Sequence, residues 1–203
     1  VSTTLSVKGR LLKTTASIGI TFYPLNNASP DQLLRHADQA MYMAKQKGKN
    51  RSYVFDIEKD EAVKHRNEEL KRIAQALRDN EFVLYYQPKV DLRTNEIIGV
   101  EALIRWNHPE KGVLGPYTFL PAIEHDILDI DIGRWVIKTA FEQSQLWLSS
   151  GYDIAISVNI SPLHLQHAEF VSELKKTINQ HPNFKPESID FEVLESSALK
   201  DIE

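Results

Sequence analysis

From residue 82 onward, short apolar runs rich in β-branched and aromatic residues alternate with longer stretches of helical periodicity. That alternation narrows the fold more than any other feature of the chain. Strand-length runs fall at 82–90, 97–106, 154–160 and 189–195. The first two flank turn chemistry at 91–95 and read as a hairpin, and Asn107-His108-Pro109 with Lys111-Gly112 ends its second strand. A short helix is expected over 117–125 and longer ones over 130–148 and 163–180, with Ile132, Val136, Ala140 and Trp147 among the buried candidates. Strands separated by helices pair in parallel, so the expectation is an α/β architecture with a parallel sheet that forms part of a barrel.

Within that frame, Val100-Glu101-Ala102-Leu103-Ile104-Arg105-Trp106 sets a carboxylate and a guanidinium on one face of an apolar strand. Charges in such a place must be paired, bound to a metal or holding an anion, and the heptapeptide alone leaves an ordinary ion pair open. Asn159, Glu192 and Glu195 likewise sit in or just beyond apolar strand runs, where α/β barrels carry their chemistry. Taken singly, each reads as a strand-end hydrogen bond to a loop. Taken together, oxygen-only donors suit Mg²⁺ or Mn²⁺ rather than zinc. His164 and His167 lie three apart on an expected helix without a Cys or acidic partner, so they read as surface histidines. Asn159-Ile160-Ser161 matches a glycosylation sequon, but nothing else in the chain points to secretion.

The first part has its own punctuation. A strand is expected within 11–23, with Gly19 allowing close backbone approach, and 24–27 is turn chemistry. Ser29, Pro30 and Asp31 start a helix whose apolar face is Leu33, Leu34, Ala37, Ala40, Met41 and Ala44. Gly48 stops it, Lys45, Lys47 and Lys49 complement its carboxyl end, and 53–55 reads as a closing strand. Residues 56–79 are dense in charge, lack Gly and Pro, and carry a stripe of Val63, Leu70, Ile73, Ala74 and Leu77. The stripe concentrates at the carboxyl end, which favours a helix docked on the second module over a floppy linker. The resulting division is 1–55, 56–80 and 81–203.

A net charge of −4 argues against binding of DNA or RNA polymers, which need a basic surface. The absence of cysteine fits a reducing compartment. No apolar run approaches the roughly 18 residues of a membrane helix, and there is no signal peptide, so a cytoplasmic location is expected. The chain opens at Val1, not Met, in a strand-like run, as if cut from a longer protein whose other segments could anchor it to a membrane.

Ser17-Ile18-Gly19-Ile20, Ala37-Asp38-Gln39-Ala40-Met41-Tyr42-Met43-Ala44-Lys45 and Gly48-Lys49-Asn50-Arg51 resemble the last third of a GGDEF domain. That family joins two GTP molecules into cyclic di-GMP. The resemblance implies that Lys45 and Lys49 correspond to contacts with nucleotide phosphates, here vestigial because the family's signature loop would lie before Val1. Further on, Tyr86-Gln87-Pro88, Glu101 to Trp106 with His108-Pro109, Phe119-Leu120-Pro121, Ile132-Gly133-Arg134-Trp135-Val136, Ser157 to Ser161 and Glu192-Val193-Leu194-Glu195-Ser196 resemble the EAL family of cyclic di-GMP phosphodiesterases. The likeness covers about 66–203 and implies the first half or more of a TIM-like barrel. It implies Glu101, Asn159 and Glu192 as metal ligands for Mg²⁺ or Mn²⁺, with Glu101 and Glu195 in catalytic roles. Glu195 would brace a neighbouring loop, Arg105 would hold a substrate phosphate and Gln87 would contact a guanine. It also implies a homodimer through the EAL-like domain and a sensory domain upstream. The family's paired aspartates, which complete a two-metal site, would follow Glu203. Ile127 stands where the family often has Gly, and Leu194 where it often has Thr. The expected activity of the complete protein is metal-dependent hydrolysis of cyclic di-GMP. The alternative is an inactive module that binds the dinucleotide or serves as a scaffold, the chain itself carrying part of the site.

Overall fold

The computed structural model describes residues 2–8, 10–24, 28–181 and 185–193. The chain divides into two compact units, 1–64 and 65–203.

In the first unit, β1 (Ser2–Val7) and β2 (Arg10–Thr15) form an antiparallel hairpin, and β3 (Ile18–Ile20) pairs in parallel with β4 (Ser52–Val54). The strand expected within 11–23 is therefore split, since β2 and β3 enter different sheets. Helix α1 (Pro30–Gln46) connects β3 to β4 and starts where the sequence signals it. The Ser29 hydroxyl accepts the Gln32 N–H, and the Gln32 side chain accepts the Ser29 N–H at 2.8 Å, a reciprocal capping box. Gly19 is required by packing: a Cβ there would lie 1.9 Å from the Ala37 carbonyl oxygen of α1. Ala40 and Ala44 are buried, and His36 stacks on Phe55 with ring centroids 4.0 Å apart.

Helix α2 (Ile57–Arg78) runs through the boundary, and from His65 onward it belongs to the second unit. Its Ile73 and Ala76 are buried there, with Leu70 and Leu77 packed against the same core. Fully burying a side chain such as Ile73 contributes about 1.5–3 kcal/mol. Arg66 adds two bonds, donating to the carbonyls of Ala122 at 3.2 Å and Glu124 at 2.9 Å.

The sheet of this unit has the order β5 (Phe82–Asp91), β6 (Glu96–His108), β8 (Ile156–Ile160), β9 (Ile189–Val193), and β7 (Gly112–Leu114) pairs with the far end of β6. The pairs β6–β8 and β8–β9 are parallel; β5 and β7 run antiparallel to β6. Helices α3 (Leu120–Ile123) and α4 (Ile127–Ser149) lie between β7 and β8 in the chain, and α5 (Pro162–Leu165) and α6 (Phe170–Gln180) between β8 and β9. This is the expected mixed α/β arrangement, open rather than closed into a barrel among the described residues. Helix α4 starts three residues before its expected position because Asp126 caps it, accepting the Leu128 N–H at 3.0 Å.

The core lies on one face of this sheet. Phe82, Leu84, Val100, Ala102, Trp106, Ile156, Val158, Ile160 and Ile189 meet Ile132, Val136, Ile137, Ala140 and Phe141 of α4. Trp106 anchors an aromatic cluster with Phe82 at 5.6 Å and Phe119 at 5.7 Å. Its indole N–H donates to Glu81 at 2.7 Å, and Arg72 of α2 donates to the same carboxylate oxygen at 2.7 Å. One carboxylate thus ties helix, strand and aromatic core together.

Candidate active site

Side chains alternate across a strand, so a face that buries its apolar set must send the intervening residues to the other side. With Val100, Ala102 and Trp106 in the core, Glu101, Leu103 and Arg105 point away from it. By the same rule Gln87 and Lys89 of β5, Ser157 and Asn159 of β8, and Asp190 and Glu192 of β9 share that second face. Cross-strand register then aligns them. Gln87 pairs with Glu101, Glu101 with Ser157, and Ser157 with Asp190; two residues on, Asn159 pairs with Glu192. Four strands thereby gather one row of polar groups from positions more than a hundred residues apart.

Two bonds organise the face. Asn159 Nδ2 donates to Glu101 Oε1 at 2.7 Å. Lys89 reaches across from β5, its ammonium donating to Ser157 Oγ and to Glu192 Oε1. The Lys89 hydrogen bond holds the Glu192 carboxyl below the usual carboxylate range; burial opposes this, and the Ser157 hydroxyl adds to the lowering. Arg105 makes no ion pair with Glu101. Its guanidinium donates to its neighbour's carbonyl at Ile104, at 2.9 Å, and lies 5.7 Å from the Tyr85 ring centroid. The ordinary ion pair that the heptapeptide left open is therefore absent, and Glu101 turns to β8 instead. Gln87 is exposed on the same face.

The turn that follows Asn159 is braced from behind. Ser161 caps α5, its hydroxyl accepting the His164 N–H at 3.1 Å, and it also bonds Asp129 of α4. Burial pushes the Asp129 carboxyl up, and the Ser161 bond partly offsets that. His164 does not lie on the surface as its spacing suggested: it is 1% exposed, seated against Gly133 and Phe170. Its ring fits because position 133 has no side chain; a Cβ there would come within 2.3 Å of His164 Nδ1. Burial depresses the basicity of His164. This seat also explains why the helix expected over 163–180 breaks into α5 and α6.

Glu101, Asn159 and Glu192 are thus brought to one face, while Glu195 lies outside the described residues. Lys45 and Lys49 are exposed residues of the first unit, in the last turn of α1 and just after it. Lys89, Ser157 and Asp190 escaped the sequence reading. The alternation in Tyr86-Gln87-Pro88-Lys89 carried a signal for Lys89, but its partner is 103 residues away and only the register identifies it. Among the described residues no three His, Cys, Asp or Glu side chains form a metal-binding group; the side-chain oxygens that Glu101, Asn159 and Glu192 bring to this face are two carboxylates and one amide. Carboxylate and amide oxygens without His or Cys are the donor chemistry of hard divalent cations. Glu192 already accepts a hydrogen bond from the Lys89 ammonium there, and Glu101 accepts one from the Asn159 amide.

A mixed sheet whose inner pairs β6–β8 and β8–β9 are parallel, with helices on one face and carboxylate, amide and ammonium groups on the other, is the scaffold of an α/β fold with one polar face. The model of the EAL domain matches residues 70–203, and that of the diguanylate cyclase GGDEF domain matches 1–51. The chain belongs to the EAL-domain family, preceded by a stretch of GGDEF type. It is 38% identical over 191 residues to the bifunctional diguanylate cyclase/cyclic di-GMP phosphodiesterase MucR of Pseudomonas aeruginosa, covering 94% of this chain and 28% of that protein. It is 34% identical over 190 residues to the cyclic di-GMP phosphodiesterase PdeR of Escherichia coli, again covering 94% of this chain and 28% of the relative. The solved complex of the PaMucR phosphodiesterase with c-di-GMP superposes with a TM-score of 0.62 at 41% identity, over 66% of this chain and 54% of that one. The chain therefore spans little more than a quarter of the length of these curated relatives.

Proposed function

We propose that the protein carrying this face hydrolyses one phosphodiester bond of cyclic di-GMP to give the linear dinucleotide, using Mg²⁺ or Mn²⁺. The observation that carries the reading is the pairing of Asn159 with Glu101 at 2.7 Å beside Glu192, on the face away from the core. In this reading Glu101, Asn159 and Glu192 hold the cation. When bound, the cation supplies Lewis-acid polarisation of the phosphoryl group and a water acidic enough to act as nucleophile. Arg105 neutralises a non-bridging phosphate oxygen, for which its planar fork is suited. Gln87 offers both a donor and an acceptor to a guanine edge. Glu195 is assigned the bracing of a neighbouring loop.

The same proposal includes the division into a GGDEF-like 1–55, a docking helix over 56–80 and an EAL-like 81–203, and Lys45 and Lys49 as vestigial phosphate contacts. It includes a homodimer through the EAL-like part, an upstream sensory domain and a cytoplasmic location. Among the described residues no helix is long and apolar enough to cross a membrane. The names of the relatives and of the c-di-GMP complex support the choice of ligand.

The second reading, a module that binds cyclic di-GMP without cutting it, draws on the Lys89 ammonium already seated on Glu192. Incubating the protein with cyclic di-GMP, with Mn²⁺ or with a chelator, separates the two. Linear dinucleotide that appears only with metal supports hydrolysis; retention of intact ligand under both conditions supports the binding module.

A further inference from the structure

Lys89 bridges three strands. Its backbone lies on β5 opposite Gly99 of β6, and its ammonium donates to Ser157 on β8 and Glu192 on β9. Ser157 is buried, at 3% exposure, while the Lys89 and Glu192 side chains remain 38% and 43% exposed. An ion pair this wet contributes little to stability, so its interest lies in where it puts a positive charge. That charge sits on a carboxylate that also faces Asn159 across the strand pair.

We propose that Lys89 is a built-in competitor for the divalent cation. This inference rests on the reading of Glu192 as a metal ligand. The ammonium holds Glu192 when the metal is absent and is displaced from Oε1 when the metal binds, because the two positive charges repel at one oxygen. Lys89 thereby sets the metal affinity of the site from a strand that contributes no proposed metal ligand. Its bond to Ser157 keeps the ammonium close, so the competition is intramolecular and lowers the apparent metal affinity by a fixed factor.

The test is calorimetric titration with Mn²⁺, without nucleotide, of the wild-type protein and the Lys89→Met, Lys89→Arg and Glu101→Gln variants at fixed pH and ionic strength. Lys89→Met keeps the stem and removes the charge, and it is expected to tighten Mn²⁺ binding about tenfold, the low end of what groups around a metal shell control. Lys89→Arg keeps the charge and is expected to stay near wild type, while Glu101→Gln weakens binding. Should Lys89→Met fail to fold, Ser157→Ala loosens one anchor of the ammonium and is expected to tighten binding in the same direction. Unchanged or weaker binding in Lys89→Met, with wild-type binding intact and lost in Glu101→Gln, overturns the competitor role and leaves the metal site standing. Absence of Mn²⁺ binding from both wild type and Lys89→Met overturns the two together.

Discussion

Asn159 on β8 and Glu101 on β6 are joined side chain to side chain at 2.7 Å, although 58 residues separate them in the chain. The bond fixes the direction of the Glu101 carboxylate. Replacing Asn159 by Ala removes a proposed ligand and the partner of Glu101 together, and is expected to weaken Mn²⁺ binding at least about 10- to 100-fold, the effect of losing a ligand's partner alone. Because Asn159 is exposed, stability is expected to change by no more than about 0.5 kcal/mol. Metal titration beside a denaturant melt checks both; a stability loss that accounts for the weakened binding would contradict the assignment.

Gly133 and His164 make a second such pair. Gly133→Ala forces a methyl to within 2.3 Å of the buried ring, and overpacking of this kind costs about 1–3 kcal/mol even after the helix gains an alanine. Urea unfolding of the single variant measures it. A more stable Gly133→Ala protein would mean that the His164 seat yields freely.

Glu81 should make stability depend on pH. The Trp106 hydrogen bond chiefly, and then the bond from Arg72, hold its carboxyl below the usual range, against burial. A carboxyl depressed in the folded state stabilises at every pH above its unfolded value, and that contribution is lost as pH falls through the folded value. The stability gap between wild type and Glu81→Gln is therefore expected to be full at pH 7 and to shrink below the ordinary carboxylate range. At pH 7 it should reach about 1.5–3 kcal/mol, the worth of hydrogen bonds to a charged group. Chemical denaturation at pH 7 and pH 3 decides; a gap that widens on acidification would contradict this.

Lys45 offers a contrast. It is exposed in the last turn of α1, where its charge complements the helix end. Lys45→Ala is expected to alter stability by no more than about 0.5 kcal/mol. Addition of GTP is expected to leave the melting temperature unmoved in both proteins. A GTP-dependent shift in wild type, lost in the variant, would show that the lysine still serves a nucleotide.

Much of this could be read from the sequence because local chemistry and tertiary demand agree. Ser29 and Pro30 start α1, the turn at 91–95 makes the β5–β6 hairpin, and strict alternation places Glu101, Asn159 and Glu192 on one face. The failures come where partners are distant. No Gly or Pro marks the break between α5 and α6; it follows from seating His164 under α4 and burying Phe170, which spacing within 163–180 cannot express. For Lys89 the alternation gives the face but not the partner, since a lysine on a half-exposed strand is ordinary until Glu192 arrives beside it. The short strand β7 needs Gly112 at φ 72°, in the left-handed region, to turn the chain back onto β6, and Lys111-Gly112 reads equally well as a plain loop.

The most direct test of the central claim is the rate of linear dinucleotide release from cyclic di-GMP against Mn²⁺ concentration, for the wild-type protein and Glu101→Gln. Glu101→Gln preserves shape and an acceptor oxygen for Asn159 while removing the charge a divalent ion needs. The account expects metal-dependent hydrolysis by the complete wild-type protein that carries this chain, and a fall of about a hundredfold in Glu101→Gln that rising Mn²⁺ partly restores. Hydrolysis that ignores Mn²⁺, or that survives Glu101→Gln at the wild-type rate and metal dependence, would contradict it.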